Sequence, residues 1–136
     1  MATLNSFYPV LEVHDPRRAA DFFVSYFGFE ATFLSDWYVS LARDPAYELA
    51  FLAHDHPTIP EGFGSRVAGV LLNLEVPDAT AEYDRLVRGA GLTCPLALRD
   101  EPFGQRHFIL EGPERILVDV IENIPPSGEF AAQYAE

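Results

Sequence analysis

Cysteine is almost missing from this chain of 136 residues, where Cys94 stands alone. One thiol excludes an internal disulfide framework and any cysteine-based zinc site built from a single chain, and Cys94 reads as a small strand residue. Basic residues are scarce as well, nine Lys and Arg against 21 Asp and Glu, for a formal charge of −12. No basic stripe is left to displace counterions from phosphates, which argues against a nucleic-acid partner. The acidic excess favours cationic partners, and it equally suits a solvated surface that keeps the chain soluble. Long apolar runs are also missing, so no segment reads as a membrane span. The start MATLNSFYPV lacks the basic residues and apolar block of a signal peptide. A soluble, cytoplasmic protein without membrane association is expected.

What the chain does have is a globular composition, 49% hydrophobic and 13% aromatic with charges interspersed. Its length suits a single domain, or two small fused halves, able to bury a core without covalent staples. A phrase is also said twice: LEVHD at 11–15 returns as LEVPD at 74–78. At an offset of 63, Leu11, Glu12, Val13, Asp15, Asp21, Val24 and Gly28 fall on Leu74, Glu75, Val76, Asp78, Asp84, Val87 and Gly91. Those seven identities lie in an eighteen-residue window, where average composition gives about one by chance. The chain reads as a duplication.

Each copy has the signals of a β-α-β-β-β unit. FYPVLEV, at 7–13, is a short apolar strand ending at Asp15-Pro16, where Asp caps a helix and Pro fits its first position. Ala19, Ala20, Phe23 and Phe27 give that helix an apolar face, and Gly28 is placed to end it in a left-handed cap. Strands are expected at 30–34, 37–42 and 47–53, with hairpin intervals between them, and a Pro- and Gly-rich linker at 54–66. The second unit, 67–123, opens with a strand at 67–76, a helix capped by Asp78, and strands at 93–98, 106–110 and 116–121. The tail, 124–136, is expected to be peripheral. The fold class is α+β: two tandem βαβββ units forming a curved mixed sheet with a concave cleft.

Alternation along a strand decides where the repeated glutamates point. Leu11 and Val13 must face the helix, so Glu12 shares the opposite face with Tyr8 and Val10; likewise Glu75 shares its face with Leu71 and Asn73. A concave face with apolar walls and a few convergent polar groups is the default binding site. The ligand-binding candidates that alternation puts on such a face are Tyr8, Glu12, Asn73 and Glu75. His54 and His56 read as loop residues. His107 with Asp119 is a conceivable acid–base pair that nothing in the spacing singles out.

The opener YPVLEVHDPRRAADFFVSYFGFE and the close QRHFILEGPERILVDVIEN resemble the vicinal oxygen chelate superfamily, the glyoxalase, bleomycin resistance and dioxygenase proteins. The resemblance covers about Phe7 to Asn123, and it departs from the usual Asp-Pro-x-Gly closing turn, which here is Gly112-Pro113-Glu114-Arg115. Enzymes of the family hold a divalent metal with His, Gln or Glu side chains, and the resemblance places those positions on Tyr8, Ala50, Leu71 and Asp119. Only Asp119 is an ordinary ligand; a slip at Ala50 would bring up Glu48 but would still leave Leu71. The resemblance therefore implies no metal and no other cofactor. It points to the antibiotic-sequestering members, which form homodimers and bind cationic or aromatic drugs; the resemblance then implies stacking by Tyr8, Trp37, Tyr38, Phe51 and Phe103, and attraction of a cation by Glu12, Glu48, Glu75 and Asp119. The alternatives are a metal-dependent lyase, isomerase or dioxygenase with non-standard ligands, and a non-binding relic or regulatory subunit.

Overall fold

The computed structural model describes residues 1–134, and the chain divides into two units, Met1–Ala68 and Gly69–Glu136. In the first, β1 (Val10–Val13) leads into α1 (Pro16–Phe27), then β2 (Glu30–Leu34), β3 (Tyr38–Arg43) and β4 (Tyr47–Ala53). The sheet order is β1-β4-β3-β2, with β1 parallel to β4 and the other pairs antiparallel. The second unit repeats this with β5 (Leu71–Glu75), α2 (Ala79–Tyr83), β6 (Leu96–Glu101), β7 (Gln105–Glu111) and β8 (Leu117–Asn123), in the order β5-β8-β7-β6. Each outer hairpin carries a register shift, between Ala31 and Phe33 in one unit and between Leu96 and Arg99 in the other.

The duplication extends to backbone angles. Asp15 and Asp78 both take extended conformations and accept the N–H three residues on, from Arg18 at 3.2 Å and Ala81 at 3.0 Å. Gly28 and Gly91 both sit at φ +70°, left-handed space that a Cβ disfavours. The second helix departs from the first by running into a π-helical stretch, Asp84–Gly89.

Strand alternation places the cores as expected. Leu11, Val13, Val39, Leu41, Leu49 and Phe51 are buried beneath α1, whose Ala19, Ala20, Phe23 and Phe27 meet them. Phe23 stacks on Phe51 with ring centroids 5.7 Å apart. In the second unit Phe108, Leu110, Val118 and Val120 are fully buried, and Tyr83 of α2 meets Phe108 edge-on at 5.2 Å.

Several boundaries differ from expectation: β1 starts at Val10 rather than residue 7, β6 spans Leu96–Glu101 rather than 93–98, and β8 runs on to Asn123. Three further departures have physical reasons. The strand expected from residue 67 begins at Leu71, because the Val67 N–H is already spent on the Glu12 carbonyl at 2.7 Å, along the outer edge of β1. In the closing turn, Glu114 and Arg115 are held at φ 59° and 60°, a left-handed conformation that the usual turn gives to glycine. The segment after Asn123 is folded onto the β6–β7 turn: Ser127 N–H donates to the Pro102 carbonyl at 2.8 Å, Phe130 packs edge-on to Phe103, and the Tyr134 hydroxyl donates to the Phe103 carbonyl. Residues 135 and 136 of the expected tail lie outside the described residues.

Candidate functional site

The face of the first sheet opposite α1 is built in rows. Register sets Glu12, Leu52 and Tyr38 side by side across β1, β4 and β3, and beside them Val10, Ala50 and Ser40. Tyr8, just before β1, hydrogen-bonds through its side chain to Tyr38, near the Glu48 carboxylate. The two tyrosines stand diagonally on either side of Ala50, which is fully buried. Burial pushes the Tyr38 phenol above its ordinary pKa, and Tyr8 and the Glu48 charge push it further in the same direction. Tyr38 therefore stays a neutral donor at physiological pH. Glu12 Oε1 accepts the Ser65 N–H at 3.0 Å, so this glutamate ties down the linker.

Trp37 adjoins this patch at the start of β3, with ring centroids 5.8 Å from Tyr38 and 6.3 Å from Phe33. Its indole lies almost parallel to the His56 imidazole, 4.2 Å away and tilted by 14°. The neighbouring His54 turns instead toward His14, at 6.3 Å. The result is an aromatic surface of Tyr8, Tyr38, Trp37 and Phe33 edged by Glu12 and Glu48. Such a surface can stack a planar ring and hold a positive charge.

The corresponding face of the second sheet is satisfied internally. His107 is buried, and its two nitrogens meet two carboxylates: Nδ1 lies 2.8 Å from Asp119 Oδ1 and Nε2 lies 2.8 Å from Glu101 Oε2. Arg99 Nε also donates to Glu101 Oε2, at 2.7 Å. Burial opposes a charge on the imidazole, but the hydrogen bonds and charges of Glu101 and Asp119 outweigh it, and the pKa of His107 is raised. The His107 hydrogen bond, followed by that of Arg99, holds Glu101 below the ordinary carboxylate range. With a carboxylate at each nitrogen, the imidazolium can donate both ring protons, which favours the charged form of His107.

The sequence candidates therefore separate. Tyr8, Glu12, Tyr38 and Glu48 come together on one face, with Trp37 beside them. Phe51 does not join them: it pairs across the sheet with Leu11 and Val39 on the helix side and has no exposed surface. It follows Ala50, so alternation turns it away from the face of Glu48. Phe103 is covered by the C-terminal segment through Phe130 and Tyr134. Asn73 and Glu75 lie exposed on the open face of the second sheet, where Glu75 Oε1 accepts from Asn123 Nδ2 at 3.0 Å. Asp119 lies on that face too, next to Asn73 in register, but its carboxylate is engaged by His107.

A metal does not fit the positions Tyr8, Ala50, Leu71 and Asp119. Two have no donor atom, the alanine is buried, and the aspartate already neutralises an imidazolium. Among the described residues, no group of three or more His, Cys, Asp or Glu side chains is arranged to hold a metal ion. Sequence reasoning did not single out Glu101, the second partner of His107, or His56, the partner of Trp37. Alternation along β7 already aligned His107 with Ile109, the neighbour of Asp119, whereas His56 lies in a turn that no periodicity describes.

Residues 7–120 match the family model of the Glyoxalase/Bleomycin resistance protein/Dioxygenase superfamily, and the chain belongs to that superfamily. No curated protein is a significant match. Among solved structures, the chain is similar to an antibiotic binding protein from Streptomyces sp. CB03234, TnmS3, with TM-score 0.67 and 22% identity over 90% of this chain and 98% of that one. It is also similar to the bleomycin-binding protein of Streptomyces verticillus, solved with copper(II)-bleomycin, with TM-score 0.60 and 20% identity over 95% and 100% of the two chains. A glyoxalase/bleomycin resistance protein/dioxygenase family enzyme from Burkholderia phytofirmans PsJN gives TM-score 0.72 and 22% identity over 86% and 97%. These likenesses are of fold. No helix among the described residues is long and apolar enough to cross a membrane.

Proposed function

We propose that this protein binds and sequesters a cationic, aromatic small molecule such as an antibiotic, without a metal, as a cytoplasmic homodimer. The observation that carries this reading is the open face of the first sheet, where Tyr8, Tyr38 and Trp37 lie together beside the carboxylates of Glu12 and Glu48. Aromatic faces attract a cation through their quadrupoles, by about 0.5–1 kcal/mol when exposed and about 2 when dry. A carboxylate hydrogen bond adds about 1.5–3 kcal/mol. The fold relatives that bind antibiotics support the ligand class, and the lack of donor atoms at Ala50 and Leu71 supports the absence of a metal.

Two measurements test this function. Elemental analysis of protein purified without chelator is expected to show no stoichiometric nickel, zinc, iron or manganese; one ion per chain would favour a metal-dependent enzyme. Cationic aromatic drugs are expected to quench Trp37 saturably. Folded protein giving no saturable change across such a panel would defeat the binding reading.

A further inference from the structure

The stacked pair of Trp37 and His56 has no role in the core, since Trp37 is 42% exposed. It is nevertheless firmly built. His56 sits in the turn after β4, where its N–H donates to the Ala53 carbonyl at 3.0 Å and its carbonyl accepts from Ile59 at 3.1 Å. The ring is fixed separately: Nδ1 accepts the Thr58 N–H at 3.2 Å and lies 2.8 Å from the Thr58 hydroxyl. A backbone N–H can only donate, so Nδ1 acts as acceptor and the ring proton of this arrangement is on Nε2. Trp37 is anchored as well, its carbonyl accepting from Ala53 N–H at 2.8 Å. The imidazole stacks on an indole that remains partly exposed.

We infer that His56 is a positioning residue for the ligand: it backs Trp37, fixes the plane of the indole, and so makes the protein selective for planar aromatic cations over compact ones. This rests on the binding reading above and names the ligand shape that the face selects. A lone surface tryptophan samples several rotamers, and a ligand that stacks on it must bear the cost of freezing them. An indole already held against a fixed ring meets a flat ligand without that cost. A compact cation is also attracted to the indole face, but it lays no flat area against the ring and depends less on the plane in which the indole is held.

The test compares wild type with His56→Ala and His56→Phe, using methylene blue as the planar cation and tetraethylammonium as the compact one, by calorimetry. Trp37 is the only tryptophan, so its fluorescence anisotropy decay without ligand reports its own motion. His56→Ala is expected to loosen Trp37 and to weaken methylene blue by about tenfold, the worth of one ring pair, while His56→Phe restores both. Tetraethylammonium binding is expected to change by no more than about twofold in either variant. An unchanged anisotropy decay in folded His56→Ala overturns the inference, as does an equal loss for both cations. If wild type binds neither methylene blue nor any other planar cation of the drug panel, the underlying binding reading fails and this one with it. If wild type binds and His56→Ala binds as well, only the role of His56 fails.

Discussion

Asp119 Oδ1 lies 2.8 Å from Nδ1 of His107, a residue that pairs on its other side with Glu101. The raised pKa of His107 and the lowered pKa of Glu101 give this triad opposite pH limits. A raised imidazole pKa contributes stability in full below the ordinary value near 6.5 and loses it as pH rises through the folded value. A lowered carboxylate pKa contributes stability above the ordinary value and loses it as pH falls through the folded value. The triad is therefore strongest in mildly acid solution, between about pH 5 and 6.5. Thermal unfolding across pH is expected to show this maximum in wild type and to lose it in His107→Gln. That variant is also expected to be less stable by about 2–3 kcal/mol, because two carboxylates are left facing each other without the cation. An unchanged profile in the variant would show that His107 is not the cation of the cluster.

Phe51 separates stability from binding. Because it stacks on Phe23 in the core, Phe51→Leu is expected to cost about 1–2 kcal/mol in urea unfolding through imperfect packing. Its affinity for a cationic drug is expected to match wild type. A fall in affinity with stability intact would return Phe51 to the binding face.

The closing turn of the second unit holds a residue in a conformation suited to glycine. Arg115 sits at φ 60°, and its ion pair with Glu111 at 3.4 Å contributes little because the arginine side chain is 90% exposed. Left-handed space costs a residue with a Cβ about 1–2 kcal/mol, part of which glycine gives back as chain entropy in the unfolded state. Arg115→Gly is thus expected to raise stability by about 0.5–1 kcal/mol. A lower urea midpoint would contradict this account of the turn.

Much of the fold was legible because its signals are local. Asp15 and Asp78 cap their helices through a bond to an N–H three residues on, and Gly28 and Gly91 end the helical segments with their own backbone. A single sequence window contains everything these features need. Alternation likewise set Tyr8 beside Glu12 on the face away from α1. Phe51 was assigned to that face by its residue type, when its position one step from Ala50 turned it to the helix. What stayed hidden depends on contacts distant in sequence or on turns. The Asp119 carboxylate faces its sheet as expected but is bonded to an imidazole twelve residues back. The start of β5 is delayed because Val67 bonds to Glu12, and His56 reaches Trp37 from a turn. The duplication has also diverged: one copy leaves its open face aromatic and acidic, while the other fills it with its own ion pairs.

The most direct test of the central claim is the affinity of a planar aromatic cation, relative to its neutral isostere, for chelator-treated wild type and for Glu48→Gln, followed through Trp37 quenching. The account predicts saturable binding unaffected by chelator, a preference for the cation, and a loss of that preference by about tenfold in Glu48→Gln, since a charged hydrogen bond is worth at least about 1.4 kcal/mol. Equal affinity for cation and isostere, or binding that chelator abolishes, would contradict it.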